Sequence, residues 1–343
     1  MAEINIYKTR TMLSAIKVIP TNEQFLMDTF CKRSKTFPTE SFDIDFVKGK
    51  KKLAPFVAKY KNGVMVERNQ IVTKNYAPEK IQPMRPLTVE TLEQRLAGES
   101  VYSDRNPADR KAELLAEDLR ELKDFVDRRK EWIISQILTT GGFAAPVLAD
   151  NGIYDTVSFD YGHTQVDTVA WADAATSKPI DDLQVMVETV SEGCGEYPTI
   201  VIMGATALKN FMASAQVLEM FDKWNINMGM IEPSLKSKHV QYIGRLLRPN
   251  VEIYTYAESY LNDEGEKAKF IPDNKVVVAC DDIFEMEYGA VTQMENGDFQ
   301  TYAGELVPKY WVNEGDDIAN IRVTSKPIPV PFDVNAWGIL TVE

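Results

Sequence analysis

Cysteine, histidine and positive charge are all scarce in this chain of 343 residues. Its three cysteines, Cys31, Cys194 and Cys280, stand far apart, with no C-x-x-C pair. An odd, dispersed set predicts reduced thiols in a reducing compartment rather than a disulfide framework. Two isolated histidines, His163 and His239, are too few for a zinc site, and no metal is expected. Lys and Arg number 38 against 51 Asp and Glu, a formal net charge of -13. Broad, sequence-independent phosphate binding needs a positive footprint, so the balance argues against it.

Long apolar runs are missing too. The longest uncharged stretch of note, Trp132 to Ala149, contains Ser135, Gln136, Gly141, Gly142 and Pro146, so no membrane anchor is expected. Glu3 stands where an export signal wants positive charge and Lys17 interrupts the following residues, so no such signal is expected either. Phosphate-cradling glycines are also lacking. "GATALK" after the apolar "TIVIM" offers only Gly204, whereas a dinucleotide-binding turn needs three glycines for backbone to approach a pyrophosphate. Neither G-x-x-x-x-G-K-[ST] nor G-x-S-x-G occurs.

What remains is weak as chemistry. Asp281-Asp282 after "VVVAC" could form an acid–base or metal-binding pair, but adjacent acids at a strand end also make an ordinary solvated turn. His163 with Asp160 and Asp167 could form a relay, or the polar face of a hairpin. The tail aromatics Tyr310, Trp311, Phe332 and Trp337 could stack bases. Lys309 apart, they lack basic neighbours in sequence, so they read as core or interface. No catalytic, cofactor or metal residue is assigned.

The organisation is more informative. Residues 1–37 read as an irregular arm with one short helix near Asn22 to Cys31. From Ser41 the alternation of Phe42, Ile44 and Phe46 with Asp43 and Asp45 predicts a half-buried strand. It runs into Lys48, Lys50, Lys51 and Lys52, with Gly49 permitting a bend. Asn62-Gly63 signals a hairpin turn, and Pro78, Pro83 and Pro86 mark a return that cannot be a central strand. This stretch has little apolar material for a core of its own.

A long helix follows. Asn106 suits the cap, Pro107 the first helical position and Asp109 the positive end of the dipole. Leu115, Leu119, Leu122, Val126, Ile133 and Ile137 form its apolar stripe, broken at Arg129, and Gly141-Gly142 end it. The stripe predicts that Leu119, Leu122 and Val126 pack inward, while Asp118, Lys123, Asp127 and Arg128 face solvent or a neighbour. A helix over 107–139 is roughly 50 Å long, a spine rather than an element of a compact domain. Strands are expected in "DNGIYDTVSFDYG", "YPTIVIMG", "VEIYTYAESY", "KVVVACDD" and the proline-rich tail, with a helix after Gly204.

Six pieces in order resemble the major capsid protein E family of lambda-like tailed phages. They are "FPTESFDIDF" followed by "LAPFV", "RLAGE", "RRKEWIISQILTTGG", "KFIPDNKVVVA", and the tail from "VPKYWVNEGDD" to "SKPIPVPFDVNAWGILTVE". The resemblance implies an α+β protein of the Hong Kong 97-type capsid fold. Its parts would be an N-terminal arm over 1–39, an extended loop over 40–95, a peripheral domain over 96–177 and 306–343 carrying the spine helix, and an axial domain over 178–305. It implies no enzyme and no cofactor, and a shell of pentamers and hexamers of this chain enclosing double-stranded DNA. Portal, scaffold or protease and decoration proteins would be partners, and the virion, assembled in a host bacterial cytoplasm, would be its location. The lysine run is not a motif of that family. Pairing with carboxylates of a neighbouring copy suits an acidic chain best, a merely solvated bend comes next, and DNA contact least. The alternatives are a nucleotide-dependent α/β enzyme built on the Gly204 turn, and a nucleic-acid-binding module using the lysines and the aromatic tail.

Overall fold

The computed structural model describes residues 8–20, 24–48, 70–88, 90–91, 107–148, 154–223, 234–235, 238–262, 265–295, 297–315 and 317–343. Asn106, Asn62-Gly63 and Lys50 to Lys52 lie outside them. The fold is α+β, as the sequence predicts.

Its largest element is a seven-stranded sheet. The central strands β8 (Ile200–Met203) and β14 (Lys275–Ala279) pair antiparallel. Outward from β8 come β11 (Val251–Tyr256), β10 (Val240–Leu246) and the short β9 (Ser234–Leu235); outward from β14 come β21 (Trp337–Val342) and β7 (Val166–Val169). β8 reads IVIM and is buried throughout, the pattern of a strand covered on both faces. Helix α4 (Pro179–Cys194) touches β14 and β21, and so does the end of the long helix α3 (Pro107–Thr140).

α3 is the predicted spine, 34 residues long. It ends where expected, because Gly141 takes φ +82, a left-handed conformation that side chains other than glycine's rarely adopt. Its first half lies on a three-stranded sheet in the order β18 (Val307–Asn313), β19 (Ile318–Thr324), β4 (Met84–Leu87). Pro86 therefore sits on an edge strand, as proline must. Leu115, Leu119, Leu122 and Val126 meet Ile321 and Val323 in a second apolar core. Met12 and Ile16 of α1 (Thr9–Val18) complete that core. The arm is thus not irregular before Asn22: it holds α1 as well as α2 (Phe25–Phe30).

A third sheet joins β1 (Arg33–Thr36) of the arm to β15 (Phe284–Tyr288) and β20 (Pro327–Pro331). β20 reads PIPVP, and its outer edge presents the Pro329 carbonyl to the Tyr161 hydroxyl at 2.6 Å. Alternate prolines leave that edge without donors for a further strand. Among the described residues there are also four two-stranded pairs: β2 (Phe42–Lys48) with β3 (Gln70–Tyr76), β5 (Gly142–Leu148) with β6 (Tyr154–Asp160), β12 (Ser259–Leu261) with β13 (Lys267–Lys269), and β16 (Val291–Glu295) with β17 (Asp298–Tyr302). Two helices, not one, follow Gly204. These are α5 (Ala205–Ala213) and α6 (Ala215–Lys223), parted at Ser214, whose hydroxyl donates to the Ser177 carbonyl.

Candidate assembly surfaces

The chemical candidates separate quickly. A Cβ on Gly204 would lie 2.2 Å from the Pro272 carbonyl oxygen and 2.5 Å from that of Asp273. The glycine answers a close backbone crossing, and the space a pyrophosphate would need holds residues 272–273. His163 stacks on Trp337, centroids 4.4 Å apart, and its Nδ1 lies 2.8 Å from the Val334 carbonyl oxygen. Burial lowers its pKa. Asp160 accepts from the Gly162 amide and Asp167 from the Thr168 amide, so the three are not arranged as a relay. Among the described residues no group of three or more His, Cys, Asp or Glu side chains is placed to hold a metal ion.

Asp281 and Asp282 do something else: they hold the arm. Lys32 Nζ reaches Asp281, the Lys32 amide donates to Asp282 Oδ1 at 3.1 Å, and the Arg33 guanidinium lies 3.0 Å from Asp282 Oδ2. The tail aromatics are also not as expected. Basic side chains do accompany them: Lys111 lies over Tyr310, Lys309 and Arg322 over Trp311, and Arg33 over Phe332. Lys309 stands beside these aromatics in sequence; Lys111 comes from the long helix, Arg322 from the paired strand and Arg33 from the arm, which sequence proximity does not show. Trp337 is fully buried core.

The long helix departs from expectation most usefully. Leu119, Leu122 and Val126 are buried as predicted and Arg128 is exposed, but Asp118, Lys123 and Asp127 are buried as well. For Asp118 and Lys123 the reason is that loop and arm segments bring polar groups onto the helix, and for Asp127 it is a pairing within the helix. Arg85 of β4 bridges Asp118 Oδ1 at 2.7 Å and Glu121 Oε2 at 2.6 Å. Lys123 Nζ donates to the Ile19 carbonyl, the C-cap of α1, at 2.7 Å. Asp127 faces Lys130 at 3.3 Å, and Lys130 lies over the Tyr288 ring.

Glu131, on the same helix, is nearly inaccessible. Its two carboxylate oxygens accept from the Leu26 amide at 2.7 Å and the Met27 amide at 2.9 Å, and Tyr256 adds its hydroxyl at 3.1 Å. Those amides open α2 and would otherwise have no acceptor within the helix. Burial pushes Glu131 up to about 7, against the lowering effect of these hydrogen bonds. A side chain of one element thus caps a helix of another, about a hundred residues away in sequence. The spacing of charges at 118, 123, 127, 130 and 131 beside an apolar stripe was the available signal.

Large apolar side chains also stand outward. Leu261 on β12 is 72% exposed, Phe299 on β17 73%, and Phe125 on α3 48%. An open groove of about 970 Å³ runs among Phe125, Arg128, Trp132, Pro83, Tyr260 and Leu261.

A long helix stitched to an arm and a loop strand, beside a sheet core, matches the parts that the family resemblance implies. A model of the phage major capsid protein E family matches residues 8–342. The chain belongs to that family. The major capsid protein of Escherichia phage lambda is 21% identical over 324 residues, covering 91% of this chain and 92% of that one. The major capsid protein of Enterobacteria phage P21 is 19% identical over 352 residues, covering 99% and 100%. Among solved structures, a prophage protein of Escherichia coli CFT073 superposes with a TM-score of 0.68 at 17% identity, covering 98% of this chain and 99% of that one. A subunit from the mature capsid of bacteriophage PhiM1 gives 0.53 at 11% identity, covering 94% and 88%. The fold is the Hong Kong 97-type capsid fold. This major capsid protein is a structural subunit of a phage head shell, and the nucleotide-dependent alternative has no support.

Proposed function

We propose that copies of this chain join as pentamers and hexamers into a closed shell around a double-stranded DNA genome, without catalysis, metal or cofactor, inside a host bacterial cytoplasm. One observation carries the reading: the arm and loop are held by side chains of the long helix and by strand edges instead of by a core of their own. Segments built in this way bury surface on whatever lies beside them, and in a shell that is another copy. Heterologous contacts that close give rings, and rings can tile a sphere. Obligate interfaces of this kind bury about 2,000–5,000 Å² or more.

The parts we assign are the arm over 1–39, the loop over 40–95 crossing an adjacent subunit, the peripheral domain over 96–177 and 306–343, and the axial domain over 178–305. The division is one of chain segments and not of sheets, since β7 and β21 of the peripheral segments belong to the seven-stranded sheet. Portal, scaffold or protease and decoration partners rest on the family resemblance alone, and no membrane partner is proposed. We also assign the lysine run to carboxylates of a neighbouring copy.

Light scattering and negative-stain microscopy of the purified protein test the central reading, with particles of very high and uniform mass expected. Replacing residues 49–69 by a short turn keeps β2 and β3 and should stop growth at capsomers or monomers. Normal shells from that variant would show that the loop does not bridge subunits. Reversing Lys50, Lys51 and Lys52 to Glu should weaken assembly at low salt; intact empty shells with lost genome retention would return the run to DNA.

A further inference from the structure

Cysteines that look isolated in sequence include a facing pair. Cys194 is the last residue of α4 and Cys280 follows β14, and their Sγ atoms lie 3.9 Å apart across 86 positions of chain. Cys31 is placed differently, its Sγ against the Arg33 carbonyl. The two facing thiols are unequal. Cys280 is buried at the end of a core strand, whereas Cys194 is half-buried at a helix end, its sulfur in contact with the amide and carbonyl of Glu196. Gly195 at φ 79 turns the chain away immediately after Cys194.

We propose that Cys194 and Cys280 form a disulfide-closing site, oxidised by a small-molecule disulfide such as oxidised glutathione and kept open in a reducing compartment. The Cys194 thiolate, the accessible partner, attacks one sulfur of the reagent. A mixed disulfide forms and one glutathione thiolate leaves, taking up the proton that Cys194 lost. The Cys280 thiolate then attacks the Cys194 sulfur, closing the intrachain bond and expelling the second glutathione as its thiol. Two cysteine thiols are oxidised and one glutathione disulfide is reduced to two thiols, so electrons and protons balance. Closure needs about 2 Å of approach between the sulfurs. Burial and the adjacent Cys194 push the Cys280 thiol up to about 12, which slows formation of the thiolate that must make the second attack.

The bond would tie the end of α4 to the strand at the middle of the seven-stranded sheet. A cross-link spanning so long a loop removes much freedom from the unfolded chain. A shell built from reduced subunits would then gain cross-links inside each subunit on meeting such an oxidant.

The test is oxidation of the purified full-length protein with oxidised glutathione, read by thiol count after denaturation, intact mass and a non-reducing peptide map. The expected result is a fall from three thiols to one, a mass lower by about 2 Da, and a peptide joining Cys194 to Cys280. Its thermal midpoint should rise by several degrees, roughly 5 °C, and return on addition of dithiothreitol. Cys280→Ala should instead stop with one glutathione held on Cys194, and Cys194→Ser should keep both remaining thiols reduced. Cys194→Ser changes a half-exposed side chain, so it remains informative if the buried substitution impairs folding. The proposal is overturned if the wild-type chain retains glutathione on Cys194 without closing. It is equally overturned if all three thiols survive, or if cross-links form between subunits first.

Discussion

The two apolar cores are built on opposite principles. In the seven-stranded sheet, Val201, Ile202, Val276, Val277 and Val278 are wholly buried, and neighbouring strands satisfy the backbone. Around the first half of the long helix, Met12, Ile16, Leu119, Leu122 and Val126 share their surroundings with Asp118, Lys123 and Asp127. The sheet excludes charge, and the helix region uses charge to fasten segments that arrive from elsewhere. The arm takes part in both cores, through Leu26 and Phe30 in the first and Met12 and Ile16 in the second, and is fastened by charge in addition.

The sharpest way to break the contrast is to damage the arm where it enters the core shared with the sheet. Phe30 is completely buried, and removing its ring should cost about 3–5 kcal/mol. We expect Phe30→Ala to release α2 and β1, giving rapid trypsin cleavage at Lys32 and Arg33 while amides of β8 and β14 stay protected from exchange. Equal loss of protection in both places would mean that arm and sheet unfold as one unit.

Next in size is Leu122→Ala, which opens a cavity in the second core at about 2–5 kcal/mol. Lys123→Ala, beside it, loses a hydrogen bond from a charged donor and leaves the Ile19 carbonyl without it, about 1–3 kcal/mol. Denaturant midpoints should fall in that order. If Lys123→Ala matched an exposed-lysine substitution, the fastening of α1 through this side chain would be wrong.

Glu131 sharpens the comparison through pH. Its folded pKa is raised to about 7 by burial, above the value of about 4.5 for an exposed carboxyl. The native state therefore favours the proton. The group's stabilising contribution is complete below about pH 4.5 and is lost as pH rises through about 7. Glu131→Gln removes this titration, so the difference in unfolding free energy between wild type and variant should slope between those limits and flatten above them. The substitution also places an amide N–H₂ where the carboxylate accepted from Leu26 and Met27, a cost of about 1–3 kcal/mol at neutral pH. A difference that stays constant with pH would show that Glu131 does not titrate in this range.

The sheet was legible because buried strands announce themselves. "IVIM" and "KVVVA" permit little else, and proline confined Met84–Leu87 to an edge, where it lies. The long helix was legible from its stripe and its stop at Gly141. The arm's first helix was missed because Thr9–Val18 buries only Thr9, Met12 and Ile16, a narrow face that gains its stability from Leu119 and Leu122, distant in sequence. The polar contacts were missed for the same reason. Asp118 looks solvated until Arg85 is placed beside it, and Arg322 comes to lie over Trp311 only once β18 and β19 are in register. No local pattern encodes which distant backbone carbonyl a buried lysine will meet.

The smallest effects belong to the acid pair that had looked like chemistry. The Asp281 carboxylate is about half exposed and its partner Lys32 nearly so, an arrangement worth about 0–1 kcal/mol. Asp281→Asn should therefore move the thermal midpoint very little and leave particle formation intact. Asp282 is different in kind. Its side chain is only 19% exposed, it accepts from the Lys32 amide and the Arg33 guanidinium, and its backbone takes φ 51. Asparagine tolerates that conformation and keeps one acceptor, whereas alanine keeps neither advantage. The order Asp281→Asn, Asp282→Asn, Asp282→Ala should therefore be one of increasing loss, with the arm's trypsin sensitivity rising in step. If Asp281→Asn proved the most damaging, or abolished a measurable hydrolytic activity, these residues would have a role other than holding the arm.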